Sequence, residues 1–127
     1  MMTDNYSILV VDDDEDTRVL VKTILTSNGF SVRDAKDGTE ALELLKGDKP
    51  SLVILDVMMP GLSGYDVVVR MKQKPDTQNI PIMMLTAKAN PDDVLSGYKD
   101  YGVEYYITKP FTTRQLLAGI KLVLDIP

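Results

Sequence analysis

The sequence predicts a doubly wound α/β domain, in which a five-stranded parallel sheet carries helices on both faces. Two observations predict it. Five short apolar runs recur along the 127 residues, three of them apolar on both faces, as the strands of a buried parallel sheet require. Each run is followed by a segment whose apolar residues repeat at helical spacing, giving β-α five times over. Strict alternation of this kind builds parallel strands joined by right-handed crossovers.

The first run is SILVV, Ser7 to Val11, and the helical stripe after it is Leu20, Val21 and Ile24. A glycine stop, SNG at Ser27 to Gly29, closes that helix before a weaker run at Phe30 to Arg33. Ala41, Leu44 and Leu45 form the second stripe. SLVIL, Ser51 to Leu55, is the third run, and Tyr65 to Met71 is a shorter helix candidate. IPIMML, Ile80 to Leu85, is the fourth. Asn90-Pro91 then reads as an N-cap with proline at the first helical position, ahead of the stripe Val94, Tyr98 and Tyr101. Tyr101-Gly102 is a second glycine stop and Val103 to Ile107 the fifth run. Thr112 and Gln115 stand at capping-box spacing before Leu116, Ile120, Val123 and Leu124.

A chain of this length can bury one core, so a single domain over 1-127 is expected, with its core at about 6-124 and no output domain. The net charge of −5, with Lys and Arg scattered, provides no footprint for nucleic acid or an anionic membrane. The expected partners are proteins and locally bound cations. Cysteine and histidine are both absent, which excludes disulfides, thiolate zinc sites and the commonest general base. MMTDNYS has no basic-then-apolar signal region and no stretch approaches the roughly 20 apolar residues that span a bilayer. A cytoplasmic location is therefore expected.

In open α/β sheets, ligands bind beyond the carboxyl ends of the strands. The residues there are Asp12 and Asp13 after the first run, Asp56 after the third, Thr86 after the fourth and Lys109 after the fifth. Three carboxylates brought to one edge repel by roughly 4 kcal/mol per pair at 4 Å and an effective dielectric near 20. A hard cation relieves that repulsion, and an all-oxygen donor set favours Mg²⁺, with Mn²⁺ as its substitute. Asp13 and Asp56 are the expected direct ligands, with Asp12 binding directly or through water. A carboxylate can also act as nucleophile in phosphoryl transfer, giving an aspartyl phosphate.

These residues carry a resemblance. ILVVDD with Asp12-Asp13, Asp56 in VILDVMMPGLSG with Pro60 and Gly64, Thr86-Ala87 in MLTA, and Tyr106 before Lys109-Pro110-Phe111 in YYITKPF together resemble the receiver domain of two-component response regulators, chemotaxis regulators among them. The likeness covers essentially the whole chain. It implies a flavodoxin-like strand order of 2-1-3-4-5 and assigns Asp56 as the phosphoacceptor, supplied by a histidine kinase or a histidine phosphotransfer protein. The same likeness adds the Met58 carbonyl to the metal ligands and gives Thr86, the Ala87 amide and Lys109 the task of countering phosphoryl charge. Thr86 and Tyr106 become the switch, and the surface of the fourth helix, fifth strand and fifth helix becomes the output face. Lys109-Pro110 is expected to be cis. Met58 and Lys88 occupy positions that influence dephosphorylation. The implied protein is a regulatory phosphoacceptor without turnover on a separate substrate. It would act on a downstream protein or a fused output domain, and a dimer formed on phosphorylation is compatible with it.

Other readings are weaker. Asp12, Asp14 and Asp16 match the first EF-hand positions, but Thr17 stands where glycine is required and Thr23 where glutamate is. An aspartyl phosphatase of the haloacid-dehalogenase type would need a different residue at Asp16, and a flavodoxin would need a hydroxyl-rich phosphate loop where five acids stand. A pseudo-receiver, keeping the fold without phosphorylation, is the serious competitor. Asp14, Glu15 and Asp16 read as the solvated first turn of a helix. The Met58-Met59 pair reads as loop packing and Tyr105 as a packed aromatic.

Overall fold

The computed structural model describes residues 5–87 and 91–127. Five strands, β1 (Ser7–Val11), β2 (Ser31–Ala35), β3 (Leu52–Asp56), β4 (Ile82–Thr86) and β5 (Tyr105–Thr108), pair in parallel in the order β2-β1-β3-β4-β5. The helices are α1 (Glu15–Ser27), α2 (Gly38–Leu44), α3 (Gly64–Lys72), α4 (Pro91–Ser96), which continues as a π-helical turn over Gly97–Tyr101, and α5 (Thr113–Leu124). The predicted fold class and strand order are both observed. Among the described residues, no helix is long and apolar enough to cross a membrane.

The period of two along each strand divides the core. Leu9, Val11, Val53, Leu55, Ile82 and Met84 point to one face, where Ala41 of α2 and Val67, Val68 and Met71 of α3 cover them. Ile8, Val10, Leu52, Ile54, Met83 and Leu85 point to the other, under Val21 and Leu25 of α1 and Leu116 and Ile120 of α5. Every residue of β3 and β4 is buried, which is why these strands read as unbroken apolar runs; the edge strands β2 and β5 are only partly covered and read weakly.

Four strands lie one or two residues later than the apolar runs suggest. Pairing uses backbone groups, so polar residues can extend a ladder: Asp56 pairs with Leu85 and Thr86 with Thr108. Two helical stripes also need correction. Leu20 is 52% exposed, because the buried line of α1 runs through Val21 and Leu25, about 100° around the helix from it. In the fourth helix the 3.6-residue period breaks at Gly97, where the Gly102 amide donates to the Gly97 carbonyl across a wider turn. The predicted cap at Asn90 and the side chain of Tyr98 lie outside the described residues.

Both glycine stops hold, with Gly29 at φ 89° and Gly102 at φ 70°. Thr112 and Gln115 form the full reciprocal capping box, as Ser63 and Asp66 do at the start of α3. Thr112→Ala removes the hydroxyl that accepts the Gln115 amide at 3.0 Å. It is expected to lower stability by about 1 kcal/mol with an unchanged urea m-value, measured by equilibrium denaturation.

Candidate functional site

The carboxyl ends of β1, β3 and β5 bring the predicted acids and lysine together. Asp12 extends β1 by one bond, its amide donating to the Ala35 carbonyl at 3.2 Å, and its side chain is completely buried. One carboxylate oxygen accepts the Asp14 amide at 2.9 Å and the other accepts Lys109 Nζ at 2.9 Å. Arg18 Nη1 donates to the Asp12 carbonyl at 2.8 Å, while Arg18 Nε pairs with Asp34 at 3.0 Å. Lys22 shares the same Asp34 carboxylate at 3.1 Å. The start of α1 is thus tied to β2 and to the Asp12 backbone.

Asp56 is the last residue of β3, the middle strand, and only 6% exposed. Lys109 Nζ lies 3.6 Å from its Oδ1. Asp13 is exposed, yet Asp12, Asp13 and Asp56 each offer one carboxylate oxygen within 4.8 Å of the other two. Burial, the neighbouring charge of Asp12 and the carboxylate of Asp13 push the Asp56 pKa up from its ordinary 3.8 to about 7, against the opposing pull of Lys109 and the Met58 amide. For Lys109, burial lowers the pKa, but the hydrogen bond and charge of Asp12 and the charge of Asp56 outweigh it, and the net shift is upward.

The loop after β3 explains the glycine of VMMPGLSG. A Cβ on Gly64 would overlap the Asp56 carbonyl oxygen and come within 2.9 Å of Met84 Cε, while the Gly64 amide donates to the Val57 carbonyl at 2.9 Å. Only glycine lets α3 start this close to the strand end. Within the loop, Met59 is nearly buried but Met58 is 76% exposed, so the packing expected of the pair belongs to Met59 alone. The Met58 backbone amide serves Asp56 instead, as a hydrogen-bond donor that lowers its pKa.

Thr86 is buried at the end of β4, and its carbonyl accepts the Lys109 amide at 2.8 Å, which carries β5 on toward the site. Ala87 follows and is exposed; Lys88 lies outside the described residues. The Lys109-Pro110 bond is cis. Tyr106 is half-buried against α3, with its hydroxyl 2.5 Å from that of Tyr65. Tyr105 packs on the opposite face with α5.

Asp14 is exposed at the start of α1, as the solvated-turn expectation holds, but it also has a capping role. It is the N-cap of α1, accepting the Thr17 hydroxyl at 2.5 Å and the Thr17 amide at 3.3 Å, and the hydroxyl bond chiefly holds its pKa below the usual value. Glu15 and Asp16 are the exposed acids of the first turn. Sequence reasoning missed Arg18, Asp34 and Tyr65. A signal for the first two existed: Arg33-Asp34 interrupts an apolar run with charges, which marks an edge strand whose side chains reach neighbours.

A family model described as the response regulator receiver domain matches residues 8–121. The chain belongs to this family. Response regulator MprA of Mycolicibacterium vanbaalenii is 42% identical to this receiver domain over 117 residues, covering 92% of the chain and 49% of that protein. The probable transcriptional regulator ycf27 of Porphyridium aerugineum is likewise 42% identical, covering 92% and 47%. The receiver domain therefore spans about half the length of the curated relatives it matches. Among solved structures, chemotaxis protein CheY4 of Vibrio cholerae superposes with a TM-score of 0.89 at 31% identity, covering 93% of this chain and 98% of that one. The signal receiver domain of a histidine kinase from Syntrophus aciditrophicus gives 0.84 at 32%, covering 94% and 90%. Receiver domains of response regulators are regulatory, and signalling through a two-component system follows for this one.

The raised Asp56 pKa has a definite consequence for stability. A carboxyl that holds its proton more tightly when folded weakens the fold as pH rises from the unfolded value toward the folded one. In chelator-treated protein, Asp56→Asn should match the wild type near pH 4, gain on it through the window up to about 7 and hold a constant advantage above that, read from urea midpoints.

Proposed function

We propose that this receiver domain is a phosphorylation-controlled switch whose phosphoacceptor is Asp56. The observation that carries this is a buried carboxylate at the end of the central strand, with an ammonium 3.6 Å away and two further carboxylates alongside. The donor is a phosphohistidine on a histidine kinase or a histidine phosphotransfer protein, since the chain has no histidine of its own. An Asp56 oxygen attacks phosphorus, the P–N bond breaks, and the histidine leaves with the electron pair.

The residues fit a divalent cation: an all-oxygen donor set, more negative charge than Lys109 can balance, and an Asp56 whose ionised form is disfavoured without further positive charge. Asp12, Asp13, Asp56 and the Met58 carbonyl would hold Mg²⁺ or Mn²⁺. When bound, the ion supplies positive charge that favours ionised Asp56 and offsets charge on the phosphoryl oxygens. Lys109 supplies a second, fixed positive charge, positioned by Asp12 at 2.9 Å. The Thr86 hydroxyl and the Ala87 amide are the hydrogen-bond donors on the β4 side. Apart from this transfer and the hydrolysis of its own product, the domain turns over no substrate.

Once Asp56 carries a phosphoryl group, Thr86 is drawn toward it and the Tyr106 ring, already seated inward against Tyr65, is held there behind it, which changes the affinity of the α4-β5-α5 surface for a partner. That surface already presents Leu95 at 55% exposure and Leu122 at 70%. The partner is a separate protein or an output domain on the same polypeptide, and the setting is the cytoplasm. Met58, and Lys88 beyond the described residues, tune the lifetime of the phosphoryl group.

Incubation with acetyl phosphate and Mg²⁺ should add one phosphoryl group by intact mass. Asp56→Asn, Asp13→Ala and EDTA should each abolish the gain at matched times, while Glu15→Ala leaves it unchanged. Equal labelling of Asp56→Asn would show that another residue is the acceptor. No labelling of the wild type would make the domain a pseudo-receiver.

A further inference from the structure

Tyr106 is a switch residue whose surroundings include groups that no motif announces. Its ring packs with the α2/α3 face of the core and its hydroxyl meets that of Tyr65 at 2.5 Å. Tyr65 is itself braced by Tyr101, the ring centroids lying 4.9 Å apart at 42°. Tyr101 closes the π-helical turn that begins at Gly97.

Gly97 is where the Tyr106 hydroxyl comes to rest. A Cβ built on Gly97 would overlap that oxygen and stand 2.6 Å from Cζ and 2.9 Å from Cε2 of the same ring. These three Tyr106 atoms are its nearest neighbours, so any side chain at position 97 competes with Tyr106 for one space. The glycine backbone is held: its carbonyl accepts the Gly102 amide and the Val103 amide, the latter at 3.0 Å. A conflict would therefore be relieved at the tyrosine, whose ring can rotate outward, and not at the helix. The wider π turn also fits this reading, because such turns recur where a helix is shaped around a functional group.

We infer that Gly97 and Tyr65 together form the seat of the inward Tyr106 ring and set how readily Tyr106 leaves it. Gly97 acts by supplying space and Tyr65 by supplying a hydrogen bond; both are positioning residues. The inference rests on the reading of Tyr106 as a switch residue. It adds that the switch is biased from the α3 and α4 side, independently of what occupies Asp56.

The test uses the full chain with ring-¹³C tyrosine, the Tyr106 signal being identified by its loss in Tyr106→Phe. Broadening by a soluble gadolinium chelate reports how exposed the ring is. In resting protein the wild-type signal should be protected, and Gly97→Ala should expose it. Tyr65→Phe, which carries little risk to folding, should move the inward-to-outward ratio by about fivefold, as one net hydrogen bond implies. A Tyr106 signal equally protected in both variants would overturn the seat.

Thermal melting gives a second readout with a change of sign. Alanine normally stabilises a helix relative to glycine. Gly97→Ala should therefore lower Tm in the wild-type background but raise it in a Tyr106→Ala background, where the space is free. A fall in both would place the conflict elsewhere and overturn the assignment. Because no phosphodonor is present, a failure of Asp56 to take a phosphoryl group would sink the proposed function and leave these outcomes unchanged.

Discussion

The arrangement depends on one compensated charge at the sheet edge. Asp12 is completely buried, and Lys109 and the Asp14 amide occupy its two carboxylate oxygens, both at 2.9 Å. That pair reaches across three strand positions, from β1 to the end of β5. It fixes the lysine beside Asp56, and the charge of Asp12 adds to the burial of Asp56, the larger cause, in lifting the Asp56 pKa to about 7. One buried carboxylate therefore positions the phosphoryl-stabilising cation and creates the demand for a second one.

The scaffold around this pair serves mainly to keep strand ends level. Parallel register puts Val11 beside Leu55, Asp56 beside Leu85 and Thr86 beside Thr108, so the residues that follow each strand emerge at one height. Two interleaved apolar layers hold that register, since a slip by one residue would exchange the faces of a whole strand. Gly64 then lets α3 approach the Asp56 carbonyl, and Arg18 and Asp34 tie α1 to β2. These contacts tie the β1 and β3 side of the site to α1, α3 and β2. On the α4 side the helix is short and gives way to a π turn, which is where the proposed movement of Tyr106 has its outlet.

Much of this could be read from residue order. Five apolar runs, each followed by helical spacing, leave few topologies, and the polar residues at run ends marked the site before any contact was known. The errors have a common origin. Strand ends were placed where hydrophobicity stops, but ladder hydrogen bonds continue through Asp56 and Thr86. Leu20 and Met58 were assigned to packing by their apolarity, yet they are 52% and 76% exposed, because apolarity does not reveal which side of a helix or loop meets the core.

Sequence alone determined the fold class, the strand count and which side chains could perform the chemistry, since periodicity and residue type are local properties. Tertiary structure decided how those side chains share charge: that Asp12 is engaged by Lys109, that Asp13 stays exposed, and that Asp14 caps a helix. It also decided that Gly97 and Tyr65 meet Tyr106, two contacts that join residues far apart along the chain. A string of residues shows which groups are present. Only folding sets the distances on which Coulomb energies and steric exclusion depend.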